Sequence, residues 1–174
     1  LFNQLVMDNI GKEVYRSMYL YGEDIVPYIE EHNTVVGYDG IQAVDKLVID
    51  IDHAKSPDRL TANKMTIDNV FNVIAIMNEL GIENQHYNIW FSGTGFHINL
   101  VNVYGFKEQK SKDLAYQVRS TMQRDFGTAI DHIYDSRRLI RAGFSFNKKS
   151  RTYKVPVTEE QLTSMSYDEI VDYA

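Results

Sequence analysis

The segment KLVIDID (46–52) places Asp50 and Asp52 two residues apart in a run that alternates apolar and polar positions. On a strand, residues so spaced leave the same face about 7 Å apart at the backbone, so the two carboxylates can converge on one cation. Like charges held side by side are costly without a counter-charge, and Mg2+ or Mn2+ bound by carboxylate oxygens is the usual solution in phosphoryl chemistry. A D-x-D pair alone also occurs in phosphatases, glycosyltransferases and ordinary edge strands. A second constellation, SGTGFHI (92–98), carries Ser92, Gly93 and Gly95 in a tight turn whose backbone N–H groups can approach phosphate. Alternation sends His97 and Asn99 to the face opposite Phe96, Ile98 and Leu100, so His97 can donate to a phosphate oxygen; the plainer alternative is a glycine turn made for geometry beside a surface histidine. In the third, IDHIYDSRRLIRAGFSFNK (130–148), Asp131 adds a carboxylate distant in sequence, with Asp135 an equal claimant on composition, and Arg141 and Lys148 are cations able to neutralise phosphate.

These residues need a scaffold. Leu47, Ile49 and Ile51 form the apolar face of the strand 46–52. After Ser56-Pro57, the spacing of Ile67, Val70, Phe71, Ile74 and Met77 predicts a helix stopped by Gly81. HYNIWF (86–91) and FHINLVNVY (96–104) read as the arms of a hairpin. Leu114, Val118 and Met122 predict a second helix ending near Gly127, short strands follow around 138–146 and 152–157, and Thr158/Gln161 and Ser166/Glu169 have the spacing of capping boxes on two small helices. Val6, Ile10, Val14 and Met18, then Ile25, Val26 and Ile29, predict two helices within 1–32 that cap the core. The order implies an α+β fold in one domain over 1–174, made of the cap, a motif-bearing core over 44–157, and terminal helices over 158–174.

Bulk properties limit the function classes. With 174 residues and 44% hydrophobic content the chain can bury one core. The net charge of −6 argues against bulk electrostatic coating of nucleic acid. Yet residues 137–154 hold seven basic and no acidic side chains, leaving −13 on the remainder, so phosphate can be met locally. No apolar run approaches a membrane span, and zero cysteines exclude disulfides and thiolate zinc sites and fit the cytoplasm, or a host cytoplasm if the protein is viral. A start at Leu1 reads as a piece of something longer.

The motifs VIDID, SGTGFHI and ID-x-x-Y followed by RRLIR and FSFNK, then KVPV, resemble in order those of the archaeo-eukaryotic primase superfamily, over about residues 44–157. The resemblance implies an RRM-like sheet with helices joined to a second α/β unit around a central cleft. It implies nucleotidyl transfer on a single-stranded DNA template from nucleoside triphosphates, by two divalent ions, Mg2+ or Mn2+, on Asp50, Asp52 and Asp131. Ser92, Gly93, His97, Arg141, Asn147 and Lys148 would contact the nucleotide. VYRSMY (14–19) resembles the helix preceding the core in replicative small subunits, where an arginine, here Arg16, reaches the site. A helicase or accessory primase domain would be a partner. Thr94 and Phe96 stand where many members have an arginine, Asn147 stands where relatives often have histidine, and no zinc is expected without cysteine. The alternatives are a non-catalytic nucleotide- or DNA-binding module of a replication protein, and a D-x-D metal-dependent phosphohydrolase.

Overall fold

The computed structural model describes residues 2–174. In chain order the elements are α1 (Phe2–Met7), β1 (Tyr15–Ser17), β2 (Leu20–Tyr21), α2 (Ile25–His32), β3 (Ile41–Ala43), β4 (Lys46–Ile51), α3 (Arg59–Glu79), β5 (Tyr87–Phe91), β6 (Phe96–Val101), β7 (Gln109–Lys110), α4 (Ser111–Phe126), β8 (Leu139–Arg141), β9 (Phe146–Asn147), β10 (Thr152–Tyr153), β11 (Val155–Val157), α5 (Glu159–Ser164) and α6 (Tyr167–Tyr173). The result is a mixed α/β protein whose sheets are antiparallel. Its central sheet has the order β11-β5-β6-β4.

The expected alternation holds where it matters. Leu47, Ile49, Ile51, Phe96, Ile98 and Leu100 are buried in one core with Val70, Val73 and Met77 of α3 and Leu114, Val118 and Met122 of α4. Each such side chain contributes about 1.5–3 kcal/mol by leaving water, which fixes the register of β4 on β6 because a one-residue slip would turn both apolar faces outward. Asp58 caps α3 by accepting from the Thr61 N–H at 2.7 Å, and Gly81 follows the helix at φ 74°, where a side chain would be strained. Both capping boxes form, at Thr158 with Gln161 and at Ser166 with Glu169.

The N-terminal segment departs from expectation. The helix read through Val14 and Met18 is a strand: β1 pairs with β8, Tyr15 opposite Arg141 and Arg16 opposite Ile140. Gly11, at φ 79°, breaks α1 from this segment, and the β-prone side chains of VYRSMY gain a partner strand that a local helix would forgo. Spacing by four was coincidental here, since Ile10 lies exposed. The second predicted helix exists as α2, but none of its residues is buried, so it does not pack on the core as a cap should. No helix of the described residues is long and apolar enough to cross a membrane.

Candidate active site

β4 lies at one end of the central sheet, and its free edge binds the segment that carries Asp131. The Asp131 N–H donates to the Asp50 carbonyl at 2.9 Å, and the Asp52 N–H donates to Asp131 Oδ2 at 3.1 Å. Asp131 thus bridges Asp50 in antiparallel fashion, while His97 faces Asp50 from the other side and Trp90 faces His97. Residues directly opposite on antiparallel strands share a face, so one row across the sheet reads Asp131, Asp50, His97, Trp90. Four residues separated by up to 81 positions become neighbours through backbone pairing alone. Asp135 is placed elsewhere, paired with Arg138 at 3.1 Å.

Beside this row is a cleft of about 270 Å3 bounded by Asp50, Asp52, Ser92, His97, Arg141 and Lys149. One wall is acidic. Partial burial and the charges of Asp131 and Asp50 push the Asp52 carboxyl above its usual range, which Lys149 and Lys55 only partly offset. Asp52 therefore lacks sufficient compensation from the protein itself. Among the described residues no three His, Asp or Glu side chains are already closed around one point. Even so, the donor set is all carboxylate oxygen, mutually repulsive, and on a shared face, which is the chemistry that Mg2+ or Mn2+ accepts.

His97 joins the acidic wall to a buried lysine. Its Nε2 lies 3.3 Å from Asp50 Oδ1, and its Nδ1 lies 2.7 Å from Lys154 Nζ, which also donates to the Arg141 carbonyl at 3.0 Å. A carboxylate can only accept, so Nε2 carries the hydrogen and Nδ1 accepts from the lysine. Burial lowers the affinity of His97 for a second proton, outweighing the opposing pull of Asp50. Lys154 is 2% exposed, and burial, reinforced by Arg16 and Arg141, brings its pKa down to about 7. The sequence marks Lys154 only by its place in the basic stretch 137–154 and at the head of KVPV, and neither pattern shows that it is buried.

The basic wall differs from the sequence reading in detail. Arg141 reaches the cleft, but its Nη1 also donates to Glu13 at 3.1 Å and to the Phe146 carbonyl at 2.9 Å, which fixes the guanidinium over the Tyr15 ring. Lys149, not Lys148, lines the cleft, because Asn147 Oδ1 accepts from the Lys149 and Ser150 amides and curls the loop. The Asn147 Nδ2 donates to the Ser92 carbonyl at 3.1 Å, so the carboxamide is spent on joining two loops and its nearness to the cleft is structural. Gly93, at φ 111°, abuts that carboxamide and the Ser150 hydroxyl, and Gly95 abuts the Ile51 carbonyl, so close packing accounts for both glycines. Ser92 sits at the cleft with its N–H donating to the Gly95 carbonyl at 2.8 Å. Arg16 lies on β1 and lines a neighbouring cavity, not the cleft itself.

No family model matches the chain, and no curated protein sequence does. Among solved structures, the fold is similar to the polymerase domain of Mycobacterium tuberculosis ligase D in complex with DNA. The TM-score is 0.53 at 16% identity, over 92% of this chain and 58% of that one. The class that the fold defines is therefore that of a mixed α+β domain with antiparallel sheets. At such identity the likeness is one of fold, and this chain spans little more than half the length of its neighbour.

Proposed function

We propose that the chain is the catalytic core of a primase-polymerase of the archaeo-eukaryotic kind, joining nucleoside triphosphates to a strand on a DNA template. The observation that carries this reading is the pairing of Asp131 with Asp50 on the free edge of β4. It brings Asp131 to the edge of the strand that carries Asp50 and leads into Asp52, and Asp50 and Asp52 line a cleft that Arg141 and Lys149 also line. The similar fold belongs to a polymerase domain in complex with DNA, which is consistent with the same class of substrate here.

Asp50, Asp52 and Asp131 would hold Mg2+ or Mn2+, which when bound supplies Lewis acidity to an attacking hydroxyl and to a triphosphate. The protein's own part is positioning and charge. A 3′ hydroxyl attacks the α-phosphorus and gives up its proton to water, the bond from that phosphorus to the α,β-bridging oxygen breaks, and pyrophosphate leaves, so no side chain need act as nucleophile. Arg141 and Lys149 line the cleft and would neutralise the charge that grows on the leaving group. The Lys154–His97–Asp50 chain fixes the orientation of Asp50 from below. Incorporation of labelled nucleotide on primed single-stranded DNA with Mn2+ tests the reading. The account expects extension that follows the template; phosphate release without template would favour a phosphohydrolase, and nucleotide binding with no incorporation would favour a non-catalytic module.

A further inference from the structure

A second cavity, of about 370 Å3, lies on the same sheet face beyond the Lys154–His97 contact, toward the start of β4. Arg16, Lys46, Arg141 and Lys154 all line it, and no carboxylate does among its described residues. Arg16 and Arg141 lower the affinity of Lys154 for its proton, and Asp50 opposes them only in part. Glu13 relieves only Arg141, from the cleft side. An anion inside the cavity is the compensation this arrangement lacks.

The remaining lining includes the aromatic rings of Trp90 and Phe144. Trp90 packs on Gly143, where a Cβ would come within 2.7 Å of the indole, and Phe144 meets Trp90 edge to face at 5.4 Å between centroids. Phe144 is 57% exposed and held at φ 62°, a conformation costly for a bulky residue. Asn88 Oδ1 is already taken by Trp90 Nε1 at 2.5 Å and Asn99 Nδ2 at 3.1 Å, leaving Asn99 Oδ1 as a buried acceptor with no donor. Cations for phosphate, an aromatic edge for a base and an orphan acceptor for a hydroxyl or amino group coincide in a space of mononucleotide size.

From this we infer a second ligand site, taking a nucleoside di- or triphosphate without a metal ion, beside the catalytic cleft, with Arg141 on the wall common to both. This inference goes beyond the catalytic reading and does not depend on it.

Trp90 is the single tryptophan, so its fluorescence reports directly on the cavity. Titration of the chain with adenosine diphosphate in EDTA should give saturable quenching. Pyrophosphate should bind more weakly than the diphosphate nucleoside. Lys46→Glu, an exposed change at the cavity rim, should weaken binding about tenfold or more, whereas Lys149→Glu in the cleft should not alter it. Absence of saturable binding in EDTA overturns the site, as does binding that ignores Lys46→Glu but is lost in Lys149→Glu. Equal affinity for pyrophosphate overturns its assignment to a nucleoside. Because primer extension is measured separately with Mn2+, failure here leaves the polymerase reading standing, and the reverse.

Discussion

Lys154→Met tests the buried core of the site through stability. The lysine is 2% exposed and its pKa falls from 10.5 in the unfolded chain to about 7 in the folded one, chiefly through burial. Between those values the unfolded chain binds the extra proton, so stability rises with pH. The full cost of charging the folded lysine, reached below pH 7, is about 5 kcal/mol at ~1.4 kcal/mol per pKa unit. Between pH 6 and pH 9 the linkage relation delivers about 2–3 kcal/mol of that. Methionine has similar length and no charge, so the variant lacks this dependence, though it leaves the Arg141 carbonyl and His97 Nδ1 without a donor at about 1–3 kcal/mol each. Urea unfolding of both proteins across that pH range should show wild type gaining on Lys154→Met by about 2–3 kcal/mol as pH rises. A difference that stays level with pH would mean that Lys154 is not a desolvated, crowded cation, and the Lys154–His97–Asp50 chain would lose its basis.

Further outcomes follow from single contacts. Gly95→Ala would drive a methyl into the Ile51 carbonyl at the end of β4, and should cost roughly 2 kcal/mol or more on urea unfolding; a cost under about 0.5 kcal/mol would contradict the hairpin's approach to β4. Arg141→Ala should raise the nucleotide KM about tenfold with less effect on kcat, and an unchanged KM in steady-state extension would remove Arg141 from the nucleotide's path. Ser166→Ala breaks the capping box of α6 and should lower stability by about 1 kcal/mol, read from the unfolding midpoint.

Much of this was legible in the chain because the decisive patterns are local. Period-two alternation around Asp50 and His97 fixed which side chains share a face, and the caps at Thr158 and Ser166 need only four residues each. Long-range pairing was not legible from period or propensity. Nothing near Asp131 says that its amide meets the Asp50 carbonyl, or distinguishes it from Asp135, and only the resemblance in motif order preferred it. The N-terminal strand was missed because Val14 and Met18 happen to keep helical spacing, while the partner that makes them a strand lies more than 120 residues away. The choice of Lys149 over Lys148 depends on one Asn147 turn that reverses which side chain faces the cleft.

The account stands on three carboxylates from separate parts of the chain serving one cation site. A crystal grown with Mn2+ and a non-hydrolysable nucleoside triphosphate, measured at the manganese absorption edge, addresses it directly. The expected result is anomalous density among Asp50, Asp52 and Asp131, with the triphosphate extending toward Arg141 and Lys149. Manganese bound elsewhere, with Asp131 turned away from Asp50 and Asp52, would contradict it.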